Sequence, residues 1–319
     1  MDVMEQTPIV IEPLEPGKET PVTRQRKARL RQFRVQLLFL LPALVIFTAF
    51  VIYPILASLY YSLTDWDGLA PTPHFVGLVN FQQFVSDPTV FINLRNTLVF
   101  AGGVMVLQNG IALLLALILD GFLRRFSFLR VLFLLPAMFS GLAIGYTWSY
   151  IYSPVFGFLN TFLGRIGLAS WQQDWLGNPH LTLASLIFTN SWEFMGLSMV
   201  VFLAGLQAVP AELYEAADID GTSGWQRFRH ITFPLIAPAV TINVLLTLIG
   251  SMKVFDLILV MTNGGPGNAS ESLALRIYNE AFTQNQFGYA TAIGIVMSLL
   301  ILGLSMLNLR LLRKREVEL

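Results

Sequence analysis

The sequence predicts an all-α membrane protein with six transmembrane helices and both termini in the cytoplasm (N-in/C-in). Three observations carry that prediction: a charge-poor composition, six long stretches almost free of charge, and a one-sided distribution of Lys and Arg. Of 319 residues, 55% are hydrophobic and only 13% are charged, and the mean hydropathy is +0.63. A soluble domain carries about a quarter charged residues. The formal net charge of zero argues against a general nucleic-acid binder. The absence of cysteine excludes disulfides, thiolate metal sites and a Cys nucleophile.

The elements follow in chain order. Residues 1–34 form a cytoplasmic tail, acidic and Pro-containing at first, expected to be disordered because it cannot bury enough apolar surface. Its basic part, Lys18 to Arg34, reads as a topology signal with a seat among anionic headgroups. A transmembrane domain of six helices is then expected over 35–309. A hydrocarbon core roughly 30 Å thick takes about 20 helical residues to cross. Val35–Thr64, Asn96–Leu119, Val131–Gly164 and Phe287–Leu309 contain no Asp, Glu, Lys or Arg. Leu181–Val209 contains only Glu193, and Leu235–Thr262 only Lys253 and Asp256. The first run is longer than the apolar core of a signal peptide and lies far from the N-terminus, so it reads as a retained anchor. The third is too long for one simple span, and its end, "YSPVFGFLNTFLG", is expected to leave the bilayer near Pro154 and lie along the surface. A basic cytoplasmic tail, 310–319, closes the chain.

Sixteen of the twenty Lys and Arg fall in the N-tail, the second loop, the fourth loop and the C-tail, against Arg95, Arg165 and Arg276 in the other loops. The positive-inside rule therefore places the fourth loop, 210–234, in the cytoplasm. That loop reads as helix, turn, helix. Pro210 suits a first turn, and Glu212 and Glu215 complement the helix dipole. Gly221 can end the helix with positive φ. Ser223 and Gln226 have the form of a capping box, and Pro234 is expected to stop the second helix. An amphipathic hairpin lying on lipid is the plainer reading of the same pattern.

The spacing Glu215-Ala216-Ala217, Gly221, Ile231-x-Phe233-Pro234 resembles the EAA signature loop of permease subunits of ATP-binding-cassette (ABC) importers, with Phe233 where that family usually has Leu. "FVGLVNFQQFVSDPTVFINLRNTLVF" (Phe75–Phe100) and "FDLILVMTNGGPGNASESLALRIYNEAF" (Phe255–Phe282) are similar to the carbohydrate branch, the maltose-type permeases. The resemblance covers most of the chain after Arg34. It implies the ABC importer type I permease fold in a prokaryotic inner membrane. Glu215, Ala216, Ala217, Gly221, Ile231 and Pro234 would then form a coupling helix seated on a separate ATPase. It also implies a second homologous permease, two ATPase subunits, an extracytoplasmic solute-binding protein and a carbohydrate-like substrate. This chain would bind no cofactor, ATP and Mg being used by the partner ATPase.

Charges inside a bilayer are expensive and usually face a cavity or partner. Asn190, Trp192, Glu193, Ser251, Lys253 and Asp256 offer amides, carboxylates and an aromatic face suited to sugar hydroxyls and C–H faces, and are the candidate substrate pathway. The plainer reading pairs Lys253 with Asp256 at i, i+3 on one helix surface. Trp148, Trp171 and Trp175 fit an interfacial belt. "NGGPGN" (Asn263–Asn268) must turn tightly. The loops Asp65–Arg95 and Asn263–Gln286 are the expected docking surfaces for a binding protein. None of the four lysines sits in a phosphate-cradling Gly-x4-Gly-Lys-Ser/Thr context. No His pair with zinc spacing and no Gly-x-Ser-x-Gly elbow occurs, so no catalytic or metal site is expected. A stand-alone secondary transporter would show internal repeats and chains of buried charge, and a membrane-embedded transferase would show clustered carboxylates or His at one interface. Neither pattern is visible.

Overall fold

Backbone polar groups inside a bilayer have no water to bond, so each apolar run must satisfy its own N–H and C=O groups. The runs are accordingly helical in the computed structural model, which describes residues 36–121 and 127–314. The N-terminal tail, Arg124 and Arg125 of the second loop, and the last five residues lie outside the described residues. Among the described residues the only β feature is an isolated bridge between Thr64 and Phe75. The chain divides into two units, the first ending at Ala57 and the second starting at Ser58.

Among the described residues four helices are long and apolar enough to cross a membrane: α1 (Gln36–Tyr61), α3 (Pro88–Gly121), α7 (Thr182–Gln207) and α13 (Phe287–Arg313). Between α1 and α3 lies the short α2 (Val79–Ser86). None of the apolar window of α1 is buried by protein. Inside α1 a π-turn, Thr48–Ile52, ends where Tyr53 N–H donates to the Thr48 carbonyl, five residues back. Pro54 follows. Proline has no N–H and its ring crowds the carbonyl four residues earlier, so the wider turn re-registers the ladder just before it.

The third apolar run departs from the expected span. It forms two short helices, α4 (Ser127–Leu134) and α5 (Gly141–Ile151), separated by a 3-10 turn over Pro136–Met138. Pro136 withdraws an N–H from the ladder, Phe139 is extended, and Ser140 caps the new helix by accepting from Ala143 N at 3.3 Å. The chain then turns at 152–157, near Pro154 as expected, into α6 (Phe158–Arg165).

Beyond α7, the elbow consists of α8 (Ala211–Ile219) and α9 (Gly224–Leu235), then α10 (Ala237–Met252). The α9–α10 pair is bent by 68°. Pro234 does not stop α9 as expected. Another π-turn, Phe228–Thr232, precedes it with the same two-residue offset as in α1, and the corner falls at Ile236 instead. Counting the bent pair as one crossing gives up to five candidate spans among the described residues.

α11 (Asp256–Met261) and α12 (Leu273–Tyr278) complete the chain before α13. α7 packs along α3, and α10 packs on α3, α7 and α13. Two apolar clusters hold this bundle. One gathers Phe100, Val104, Ile144, Leu186 and Leu257. The other, nearer the elbow, gathers Ala112, Ala116, Met199, Phe202, Ile236 and Ala239. Small residues make the second cluster tight: a Cβ at Gly205 would press on Ala239, the close approach that helix association in lipid favours.

Candidate functional site

The elbow is built by local chemistry. α8 ends in a Schellman motif: Thr222 N–H reaches the Ala217 carbonyl at 3.1 Å, Gly221 N–H reaches Asp218, and Gly221 has φ +68°. The Ser223–Gln226 capping box then starts α9. Three contacts lock the two helices together. Arg227 Nη1 donates to Asp218 Oδ1 at 2.6 Å, the Arg227 guanidinium lies 5.9 Å from the Tyr214 ring centroid, and Tyr214 and Thr232 share a 3.2 Å hydroxyl contact. Of the sequence-predicted coupling residues, Glu215, Ala216 and Gly221 are exposed, Ile231 and Pro234 are half-buried, and Ala217 is buried. Ile219 and Trp225, which the sequence pattern did not single out for coupling, present the apolar tip, at 87% and 67% exposure.

Directly up α7 and α10 from this elbow lies a cavity of about 440 Å³. Asn190, Ser251, Lys253 and Asp256 line it, as do Gln108, Ser198, Asn243 and Thr247, which sequence reasoning missed. Trp192 and Glu193 do not line it. Trp192 packs against Trp148, ring centroids 5.3 Å apart, and Glu193 is buried within α7. Trp148 is therefore a packing residue. Lys253 and Asp256 form no ion pair, because the helix that would align them ends at Met252 and a new one begins at Asp256. The Asp256 carboxylate instead sits over Gly141 at the start of α5, where an added Cβ would overlap it. A helix N-terminus is a favourable place for negative charge.

The polar floor is a hydrogen-bonded layer between the two apolar clusters. Gln108 Nε2 donates to Ser198 Oγ at 2.8 Å and lies 3.5 Å from both the Phe194 carbonyl and Thr247 Oγ1. Asn109 Nδ2 reaches Thr247 Oγ1 at 3.3 Å, and Asn243 Nδ2 donates to the Ser198 carbonyl at 3.0 Å. The missed residues carried one readable signal: Asn243, Thr247 and Ser251 recur every four residues, a polar stripe on an otherwise apolar helix. Gln108 and Ser198 carried none.

Residues 25–317 match the family described as binding-protein-dependent transport system inner membrane component. The chain belongs to this family. The probable starch degradation products transport system permease protein AmyD of Thermoanaerobacterium thermosulfurigenes is 35% identical over 281 residues, covering 88% of this chain and 94% of that one. The trehalose/maltose transport system permease protein MalF of Thermococcus litoralis is 32% identical over 290 residues, covering 91% and 97%. In a crystal structure of a bacterial ABC transporter involved in the import of the acidic polysaccharide alginate, one chain matches with a TM-score of 0.78 at 23% identity, covering 91% of this chain and 99% of that chain. That likeness is one of fold.

In this inner-membrane permease component, the two family-like stretches outside the elbow meet each other. Asn96 Nδ2 donates to the carbonyls of Asn268 (2.8 Å) and Glu271 (3.1 Å), and Thr97 Oγ1 accepts from Leu273 N at 2.9 Å. The 263–268 turn uses positive φ at Asn263, Gly264, Gly267 and Asn268. Beyond it, Arg276 bridges Asp87 (3.3 Å) and Glu280 (2.6 Å). Most of 270–281 is thereby buried, so the exposed part of the expected 263–286 docking loop is Asn263, Gly267, Asn268, Tyr278 and the stretch 282–286. In the 65–95 loop the backbone N–H groups of Ala70 and Leu69 hold the Asp67 carboxyl below its ordinary value. Among the described residues no His/Cys/Asp/Glu group suited to a metal ion occurs.

Proposed function

We propose that this permease is the transport subunit of an ATP-driven importer for a carbohydrate or related solute. It forms the translocation pathway with a second, homologous permease and is driven by two separate ATPase subunits. On this reading ATP and Mg are used by those subunits, this chain has no ATPase site of its own, and an extracytoplasmic binding protein delivers the solute to the exposed parts of the 65–95 and 263–286 loops. The domains are a cytoplasmic tail (1–34), a six-crossing domain (35–309) with the 210–234 loop inside the cell, and a short basic tail (310–319). The broken α4–α5 segment supplies the remaining crossing, and both termini are cytoplasmic.

One observation carries this reading. A clamped, exposed helical elbow joins the two helices that line the cavity, α7 through the three residues 208–210 and α10 through the bend at Ile236. Movement of the elbow therefore moves cavity walls, which is what alternating access requires. ATP can drive that movement only by favouring one arrangement over the other. Sugar chemistry is supported by the relatives' transport systems and by a cavity that sets amides and hydroxyls beside the apolar Phe194, Leu197, Val201, Leu246 and Val254. Glu215, Ala216, Gly221 and the Ile219 tip would seat on the ATPase, with Ala217, Ile231 and Pro234 shaping the elbow beneath. Asn190, Ser251, Lys253 and Asp256 would meet solute directly, with Trp192 and Glu193 supporting the wall.

The test is Gly221→Arg. No atom lies within 4 Å of a Cβ at this position, but φ is +68°, so the change strains the Schellman turn and enlarges the elbow without disturbing the bundle. The expected result is an assembled or partly assembled complex whose ATP turnover no longer responds to solute-loaded binding protein. Stimulated turnover and uptake at the wild-type level would refute the coupling role.

A further inference from the structure

The cavity floor has a hydrogen-bonding polarity that goes further than the presence of polar side chains. Gln108 and Asn243 are 6% and 2% exposed, in an apolar bundle. Buried polar groups at such a place need partners. The amide nitrogens have them: Gln108 Nε2 on Ser198 Oγ, and Asn243 Nδ2 on the Ser198 carbonyl. A carbonyl can only accept, so the Asn243 amide is fixed with its nitrogen toward α7. The oxygens of the same two amides receive no protein donor among the described residues, and both residues line the cavity. Two acceptors thus wait at the floor for donors that the protein does not supply.

The charges lining the cavity point the same way. Lys253 is exposed, and Asp256 lines the same space with the opposite charge. No cation reaches the floor, where Gln108, Ser198, Asn243 and Thr247 are all neutral. A carboxylate or phosphate entering there would present acceptors to acceptors and lose its hydration without a compensating charge. A hydroxyl group both donates and accepts. It can satisfy the amide oxygens while taking hydrogen bonds from Ser198 or Thr247 hydroxyls.

We propose that this cavity selects neutral polyhydroxy solutes against their anionic counterparts, with Gln108 Oε1 and Asn243 Oδ1 receiving solute hydroxyl groups. The proposal rests on the importer reading above and narrows its substrate class. A site built to pair a hydroxyl rejects a ligand that leaves its polar groups unmatched far more strongly than an apolar pocket rejects an extra methylene.

The test uses the complete importer in proteoliposomes loaded with ATP and supplied with binding protein. Radiolabelled maltotriose, cellotriose and glycerol are compared with sn-glycerol 3-phosphate and trigalacturonate. ATP-dependent uptake is expected among the neutral probes alone. Gln108→Leu should lower that uptake about tenfold at saturating binding protein, the loss of roughly one well-matched hydrogen bond. Preferential uptake of the phosphate or the uronate overturns the proposal, and so does a Gln108→Leu importer that carries the neutral probe at the wild-type rate. If Gln108→Leu fails to assemble, the wild-type comparison of neutral with anionic probes decides alone. No ATP-dependent uptake of any probe by the assembled importer defeats the importer reading itself, and the inference with it.

Discussion

Single residues decide how closely helices can approach in this permease. Gly196 is the sharpest case. Its face of α7 lies against the Phe133 carbonyl at the broken end of α4, and a Cβ there would overlap that backbone oxygen. Backbone cannot swing aside as a side chain can. Gly196→Ala is therefore expected to push α4 off α7 and cost about 2 kcal/mol, the usual range for overpacking a tight contact. Thermal unfolding of the detergent-solubilised protein should show a lower midpoint for Gly196→Ala, while Gly110→Ala, where a Cβ would meet nothing within 4 Å, stays at the wild-type value. Equal midpoints would mean that the contact at Gly196 is slack. Nothing in the sequence marks this glycine, since the partner is a backbone carbonyl some sixty positions earlier in the chain. The same blindness explains Gln108, one of four side-chain amides in the 34-residue α3, whose role depends on what α7 and α10 bring to it. Lys253 and Asp256 fail for a different reason. Their i, i+3 pairing assumes one continuous helix, and Phe255, with φ −135° and ψ −62°, interrupts it.

Elements were more legible than residues wherever local chemistry decides. The Schellman end at Gly221, the Ser223–Gln226 box and the turn at Asn263–Asn268 all form as their residues dictate. Pro234 departs from its expected role as a helix stop. Pro54 and Pro234 each sit two residues beyond a π-turn that absorbs them, so neither ends its helix, whereas Pro136 does break the third run. The segment around α12 is held instead by charge. Burial raises the Glu280 carboxyl above its ordinary value, the Arg276 guanidinium opposes that, and Asp87 and Glu271 reinforce it. A carboxyl held above its unfolded value keeps its proton more tightly in the folded chain. Its stabilising contribution is thus full below the unfolded carboxylate pKa and is lost as pH rises through the raised folded value. The unfolding midpoint should accordingly fall with rising pH across the carboxylate range, less so in Glu280→Gln. Arg276→Met should steepen the fall and lower stability by about 3 kcal/mol, because Asp87 and Glu280 remain buried without their cation. A pH profile unchanged in both variants would show that the cluster is already solvated.

At the scale of the whole molecule, the Lys and Arg distribution predicts which end faces the cytosol, and the break in the third run makes the number of crossings the quantity to test. If 127–151 crosses, Ser170 lies outside the cell and both termini lie inside. If it does not, Ser170 stays on the cytosolic side, and the termini are separated by the membrane. The positive-inside pattern favours the first arrangement because sixteen basic residues would otherwise be split between the two faces. The chain contains no cysteine, so single cysteines can be introduced without a background to remove. Glu212, Ser170 and Thr283 are exposed, and none of the three side chains has a hydrogen-bond partner whose loss would disturb the fold. In intact cells a membrane-impermeant maleimide should modify Ser170→Cys and Thr283→Cys but leave Glu212→Cys untouched until the membrane is opened. Protection of both Ser170→Cys and Thr283→Cys, with Glu212→Cys labelled instead, would mean that 127–151 does not cross and would reduce the crossings to five. Labelling of Glu212→Cys from outside would place the elbow on the wrong face to meet any cytosolic ATPase, and the coupling mechanism would fail with it.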